Sequence, residues 1–199
     1  MLVPGASRLA LVACAAALVL SAAASAADAP APVVVKDPRD AGTGAPDITR
    51  VQLGLTSDRR LRAALTLAAG WVAKDLIATQ GPPGSLCLRM WTVTKPGAAP
   101  PDFLVCITAR QDEETTRGSI LKPGTDGALE RVGGAIVGRT SDRTVTLRFS
   151  QTAIGRPARI RFAAEVTKPG CARVSCVDTA PDAPQTATFR VRETSQARP

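Results

Sequence analysis

Hydrophobic and polar residues alternate with a period of two along much of the chain. At 61–67 every odd position is leucine or alanine, and Arg62 and Thr66 are among the residues between them. The same alternation recurs at 51–55, 145–149, 160–166 and 187–191. One apolar and one polar face are typical of half-buried antiparallel strands. The pattern therefore predicts an all-β protein.

Two further segments, 85–93 and 103–110, are apolar on both faces, which predicts central strands. The segment 71–80 is the one predicted helix, and it ends at Gly-Pro-Pro-Gly. About nine short strands with one short helical connection predict an antiparallel β-sandwich. A closed barrel is the alternative.

The N-terminal segment has the pattern of a secretory signal peptide. Arg8 precedes an apolar run at 9–20, and small residues lead up to Ala26. An uncleaved N-terminal anchor is the alternative, and lipid attachment at Cys14 is disfavoured because only about five apolar residues precede it. The predicted organisation is a signal peptide at 1–26, a linker at 27–32, one domain at 33–193 and a tail at 194–199. The mature protein is expected to be secreted or periplasmic, without stable membrane insertion.

Four of the five cysteines follow the predicted cleavage site. An even number of cysteines in an exported chain favours disulfides. Local spacing favours the pairs Cys87–Cys106 and Cys171–Cys176. A zinc site is disfavoured because the chain has no Cys-x-x-Cys motif and no histidine.

The chain is basic, with 25 Lys and Arg against 17 Asp and Glu and a formal net charge of +8. The basic residues are spread along most of the predicted strands, and aromatic residues make up only 3% of the chain. A nucleic-acid site would gather cations on one face and add aromatic side chains. We therefore expect no nucleic-acid partner. The charge is interpreted as a solvated surface with weak attraction to anionic envelope polymers.

The residue types argue against an enzyme. Without histidine the chain lacks the usual general base and the Ser-His-Asp and Cys-His arrangements. Ser119 and Lys122 match a Ser-x-x-Lys spacing, but Gly118 and Pro123 flank them, whereas that motif needs a helical turn. The acidic residues at 112–114 are adjacent on a predicted loop and do not converge on a substrate. No cofactor is required by this composition.

Aspartates are concentrated in two Gly/Pro-rich segments near the ends of the predicted domain. Asp37, Asp40 and Asp47 precede the first alternating strand, and Asp178 and Asp182 lie in "DTAPDAP". Calcium prefers six to eight oxygen ligands from carboxylates and loop carbonyls. The spacing is not that of an EF-hand, and Asx-turns explain the same residues without an ion. Both interpretations stay open, and the simpler one is favoured.

Several short motifs resemble a known group of domains. "DPRDAG…PDITRVQLG", "RLRAALTL", "FSQTAIGRPARIRFAAEV" and "DTAPD" resemble the DOMON-like and family-9 carbohydrate-binding-module-like β-sandwiches of bacterial secreted proteins. The resemblance implies an extracellular domain with sugar, haem or envelope functions, sometimes with structural calcium. It implies Asp37, Asp40 and Asp178 as metal ligands. Arg39 departs from the pattern, since it would pair with Asp40, and the lack of histidine argues against haem.

The sequence thus suggests an exported, non-catalytic β-sandwich that binds an extracellular glycan or another envelope component. Trp71 and the neighbouring helical connection are the expected contact region, with Trp91 as the other aromatic candidate. The alternative is a structural or protein-interaction domain with no small-molecule ligand. A hydrolase is a third hypothesis and would need a cleft with two facing carboxylates. Burial of both tryptophans would remove the main support for sugar stacking.

Overall fold

Eleven strands and two short 3-10 helices form the described part of the chain. The computed structural model describes residues 29–41, 46–93, 99–110, 115–171 and 176–191. The predicted signal peptide, the C-terminal tail and the acidic run at 112–114 lie outside the described residues. In chain order the strands are β1 (Val33–Lys36), β2 (Ile48–Leu55), β3 (Leu61–Leu67), β4 (Ser85–Trp91), β5 (Phe103–Ala109), β6 (Thr116–Pro123), β7 (Leu129–Arg139), β8 (Thr144–Phe149), β9 (Arg159–Thr167), β10 (Val177–Ala180) and β11 (Ala187–Arg190).

All strand pairs are antiparallel, in the order β1-β2-β3-β8-β7-β6-β5-β4-β9-β10, and β11 also pairs with β9. Strand β7 pairs with both β6 and β8, so it joins two halves of the sheet. We call β1, β2, β3 and β8 the first half-sheet, and β4, β5, β6, β9, β10 and β11 the second half-sheet. The ends of the sheet approach each other, since β10 contacts β2 and β1 contacts β11. The all-β, antiparallel prediction is confirmed, and this nearly closed sheet is compatible with both a sandwich and a barrel.

The core lies between the inward faces of the two half-sheets. In β3 the odd-numbered residues are buried and Arg62 is exposed, as the alternation predicted. Leu65 and Leu147 from the first half-sheet and Leu88 and Phe162 from the second are fully buried in one cluster. Each such side chain contributes about 1.5–3 kcal/mol by burial, so the alternation fixes which face of each strand turns inward.

The predicted helix at 71–80 is wrong. The structure has only a four-residue 3-10 helix there, Ala73–Leu76, flanked by extended residues at Val72 and Ile77. Within this segment the two buried side chains are Trp71 and Leu76. They lie five residues apart, about 140° around an α-helix, so a continuous helix could not bury both against one surface. The second 3-10 helix is Gln151–Ile154.

Both predicted disulfides are present. Cys87 and Cys106 lie directly opposite each other in β4 and β5, and Cys171 pairs with Cys176. The bridge between β4 and β5 closes a loop with a sequence separation of 19, a constraint that contributes roughly 3 kcal/mol on the loop-entropy estimate. Among the described residues, no helix has the length and apolar character needed to cross a membrane.

Candidate functional site

Five aspartates from the two ends of the domain converge where β1 and β2 lie near β10. Asp37 and Asp40 follow β1, Asp47 precedes β2, Asp178 is in β10 and Asp182 follows that strand. Asp37 interacts electrostatically with the other four. We call these five residues the acidic cluster. The fold therefore brings together two segments that are more than a hundred residues apart in the chain.

Backbone contacts fix the position of the cluster. The Asp37 amide donates to the Thr49 carbonyl oxygen at 3.0 Å. Thr49 lies at an irregularity in the β2–β3 pairing, because Ile48 pairs with Leu67 and Arg50 pairs with Thr66. The Ile48 amide donates to Asp178 Oδ2 at 2.7 Å. This bond ties β2 to β10 at the place where the two ends of the sheet meet.

The carboxylates of the cluster are close together and incompletely hydrogen-bonded. One oxygen from each of Asp37, Asp40 and Asp182 lies within 4.8 Å of the others. Asp37 Oδ2 and Asp47 Oδ1 are buried and have no hydrogen-bond partner in the described part of the chain. A buried polar oxygen without a partner costs about 1–3 kcal/mol. The cluster is thus unfavourable in the absence of a bound positive group.

The electrostatics of the cluster agree with this geometry. The pKa of Asp37 is raised to about 6. Burial is the largest cause, followed by the charges of Asp182, Asp40, Asp178 and Asp47. Burial also raises the pKa of Asp47, and the charge of Asp40 adds to that effect. For Asp178, burial raises the pKa more than the hydrogen bond from Ile48 lowers it. Each shift means that ionised carboxylates are held where negative charge is disfavoured.

The arrangement fits a hard divalent cation. Calcium–oxygen distances of about 2.4 Å allow two ligand oxygens to lie at most about 4.8 Å apart across the ion. The three carboxylates of Asp37, Asp40 and Asp182 meet that limit. A cation there would also offset the like charges and would bind Asp37, one of the two residues with a buried oxygen that has no partner in the described part of the chain. Asp37, Asp40 and Asp182 are the residues that would hold it.

The sequence-predicted ligands Asp37, Asp40 and Asp178 all lie in the acidic cluster, but their positions differ. Asp178 is 6% exposed and already accepts a hydrogen bond through Oδ2. It is not one of the three carboxylates that converge within 4.8 Å. Asp182 replaces it as the third converging residue. Arg39 makes no ion pair with Asp40 among the described residues. Its charge instead offsets part of the rise in the pKa of Asp47 that burial and Asp40 cause.

Trp71 does not form the exposed contact that the sequence suggested. Its side chain is 7% exposed and belongs to the core cluster. The Arg139 guanidinium lies 4.8 Å from the ring centroid and donates to the Trp71 carbonyl oxygen at 2.6 Å. The same group donates to the Asp142 carbonyl oxygen at 2.8 Å. Trp71 thus anchors the segment after β3 to the β7–β8 turn.

Trp91 is also 7% exposed, but it lies outside the core cluster, on the outer face of the second half-sheet. Its indole nitrogen donates to the Ala99 carbonyl oxygen at 2.8 Å. The guanidinium groups of Arg89 and Arg161 lie 5.4 and 5.7 Å from its ring centroid. Because both tryptophans are covered, neither offers an open ring for sugar stacking.

Two cavities lie elsewhere on the surface. A cleft of about 610 Å³ is lined by Arg110, Arg117 and small or hydroxyl-bearing residues of β6 and β7. A groove of about 120 Å³ lies between Trp91 and the residues that follow β10. Among the residues that the structure describes, neither lining includes a carboxylate of the kind that the hydrolase hypothesis requires as a facing pair.

Comparison of the chain with protein-family models, characterised proteins and solved structures finds no match.

Proposed function

We propose that this chain is a non-catalytic β-domain of an exported protein, and that its acidic cluster binds calcium. The observation that carries the proposal is the convergence of Asp37, Asp40 and Asp182 within 4.8 Å beside two buried carboxylate oxygens that lack partners. Calcium supplies positive charge and additional oxygen coordination at such a site. The expected consequence is structural, because the cluster joins the first strand to the segment after β10.

The two disulfides support an oxidising compartment, such as the periplasm or the extracellular space. Free calcium is bound by extracellular modules with dissociation constants of about 0.1–1 mM. A calcium-dependent domain is therefore compatible with export. The non-catalytic assignment is supported by the residue types, since the chain has no histidine.

Thermal unfolding with calcium, with magnesium and with EGTA tests the proposal. We expect calcium at a hundred times its dissociation constant to raise the melting temperature by about 5–10 °C relative to EGTA. Asp40→Asn with Asp182→Asn should abolish the rise, because both side chains are exposed ligands whose replacement leaves the core intact. Calorimetric titration should give one site in the native protein.

The matched control is Glu130→Gln with Asp126→Asn, which removes two carboxylates from the β6–β7 hairpin instead. This variant should keep the full calcium response. A calcium-independent melting temperature in the native protein, or an equal loss of response in both variants, would contradict the proposal. The domain would then be a metal-free structural or protein-interaction module.

A further inference from the structure

The outer face of the first half-sheet carries cations that the strand register places side by side. Arg62 in β3 lies directly opposite Arg148 in β8. Lys36 in β1 lies directly opposite Arg50 in β2. All four residues are exposed. Directly opposed like charges destabilise a strand pair. Each of these two cation pairs therefore lowers the stability of the sheet, and the fold does not depend on either pair.

The four strands of this half-sheet contain no aspartate or glutamate at all. Among the residues that the structure describes, none of the four cations makes an ion pair within 4.0 Å. Asp58, in the β2–β3 turn, contacts Arg60 at 3.3 Å, and the charge of Arg148 contributes to lowering the pKa of Asp58. The outer face of the four strands is thus positive. Asp58 lies beyond one end of it, and Asp37 and Asp47 of the acidic cluster lie beyond the other end, next to Lys36 and the start of β2.

Small and hydroxyl-bearing residues lie between the two cation pairs. Along β3, Ala64 and Thr66 follow Arg62 on the outer face, and Thr144 and Thr146 lie beside them in β8. The Arg62–Arg148 pair and the Lys36–Arg50 pair are four residues apart along the strands, about 13 Å. The row between the pairs also contains Gln52 and the exposed Val34. It contains no acidic side chain, so an extended chain with repeated negative groups could lie across it.

From these observations we propose that the outer face of the first half-sheet binds an anionic polysaccharide through Lys36, Arg50, Arg62 and Arg148. Carboxylate or sulfate groups of the polymer contact the guanidinium and ammonium groups, and sugar hydroxyls contact the half-buried Thr66 and Thr144. The outer face of the four strands presents no aromatic side chain for base stacking, because Phe149 of β8 is buried in the core. This favours a polysaccharide over single-stranded nucleic acid. None of these four residues is a candidate calcium ligand, although Lys36 directly precedes Asp37 of the acidic cluster, so the proposal does not rest on calcium binding.

Binding of the full chain to heparin and to polygalacturonate, measured at low salt, tests the inference. Dextran serves as the neutral polymer, and a 20-base-pair DNA duplex represents the competing class. Arg62→Gln with Arg148→Gln should weaken binding to both anionic polysaccharides by about tenfold or more, and salt should weaken native binding steeply. Dextran should not bind, and EGTA should leave the affinities unchanged.

The matched control is Lys168→Gln with Arg190→Gln, which removes two exposed positive charges, one directly after β9 and one in β11. We expect this variant to lose less than about twofold in affinity. An equal loss in both double variants would show that binding follows net charge alone and would overturn the inference. The inference would also be overturned if neither polysaccharide bound. The same holds if DNA bound more strongly than both polysaccharides and lost that binding when Arg62 and Arg148 were replaced. Failure of the calcium response alone would leave this inference intact.

Discussion

The outer faces of the two half-sheets both carry arginines, but these arginines have different surroundings. On the second half-sheet, Arg89 contacts Glu165 at 3.2 Å and also lies over Trp91, which Arg161 covers as well. On the first half-sheet, Arg62 and Arg148 face each other without an ion pair among the described residues. The same residue type is therefore part of a packed structural cluster on one face and is available to a ligand on the other.

This comparison changes the interpretation of the net charge. The sequence suggested a dispersed, solvated surface, because the cations are scattered along the chain. The register brings Arg62 beside Arg148, although 86 positions in the chain, from 62 to 148, separate them. Net charge alone does not distinguish a solvated cation from one in a patch, whereas adjacency in the sheet does.

The largest expected effect on stability comes from replacing Trp91, the tryptophan covered by two arginines. Trp91→Ala should lower the free energy of unfolding by about 3 kcal/mol, because it removes a buried ring together with its contacts to two arginines. Equilibrium urea unfolding measures the change. Trp91→Phe, which keeps a ring but loses the hydrogen bond to Ala99, should lose only about 1 kcal/mol. A loss below about 1 kcal/mol for Trp91→Ala would show that the two faces are equally solvated.

The acidic cluster is a second group of like charges, but unlike the arginines of the first half-sheet it is partly buried. The pKa of Asp37 in the folded protein is about 6, above the ordinary value of 3.8. A raised carboxyl pKa means that its stabilising contribution is complete below about pH 4 and is lost as the pH rises through 6. In EGTA at pH 7, Asp37→Asn should therefore raise the free energy of unfolding, by about 1 kcal/mol because solvent screens the charge of this partly exposed side chain.

Urea unfolding from pH 4 to pH 7 in EGTA checks this expectation. The native protein should lose stability over that range, and the Asp37→Asn variant should lose less. Added calcium should restore stability to the native protein at pH 7 but not to the variant. Parallel pH profiles for both proteins would show that Asp37 carries no electrostatic strain.

The fold was largely predictable from the sequence, and the site was predictable only in part. Period-two alternation identified strands such as β3 and β8, because burial of one face forces that pattern. The pairing of β3 with β8 depends on closure of the whole sheet, so the juxtaposition of Arg62 and Arg148 was missed. Asp182 was among the aspartates considered for calcium, but the family resemblance implied Asp178 as the third ligand. Asp178 faces inward from β10, where its carboxylate accepts a hydrogen bond from the Ile48 amide.

The smallest expected effect on stability comes from removing one of the two opposed charges of the Arg62–Arg148 pair. Arg62→Thr should raise the free energy of unfolding by about 0.5 kcal/mol at low salt, because it removes one charge of the pair and introduces a residue that favours strands. The gain should shrink at 1 M salt, where charges are screened over about 3 Å. The comparison variant is Arg89→Thr, which breaks the contact with Glu165 and uncovers Trp91, and it should lose stability. If Arg62→Thr lost as much stability as Arg89→Thr, the arginines of both faces would be structural, and the first half-sheet would have no cations held for a ligand.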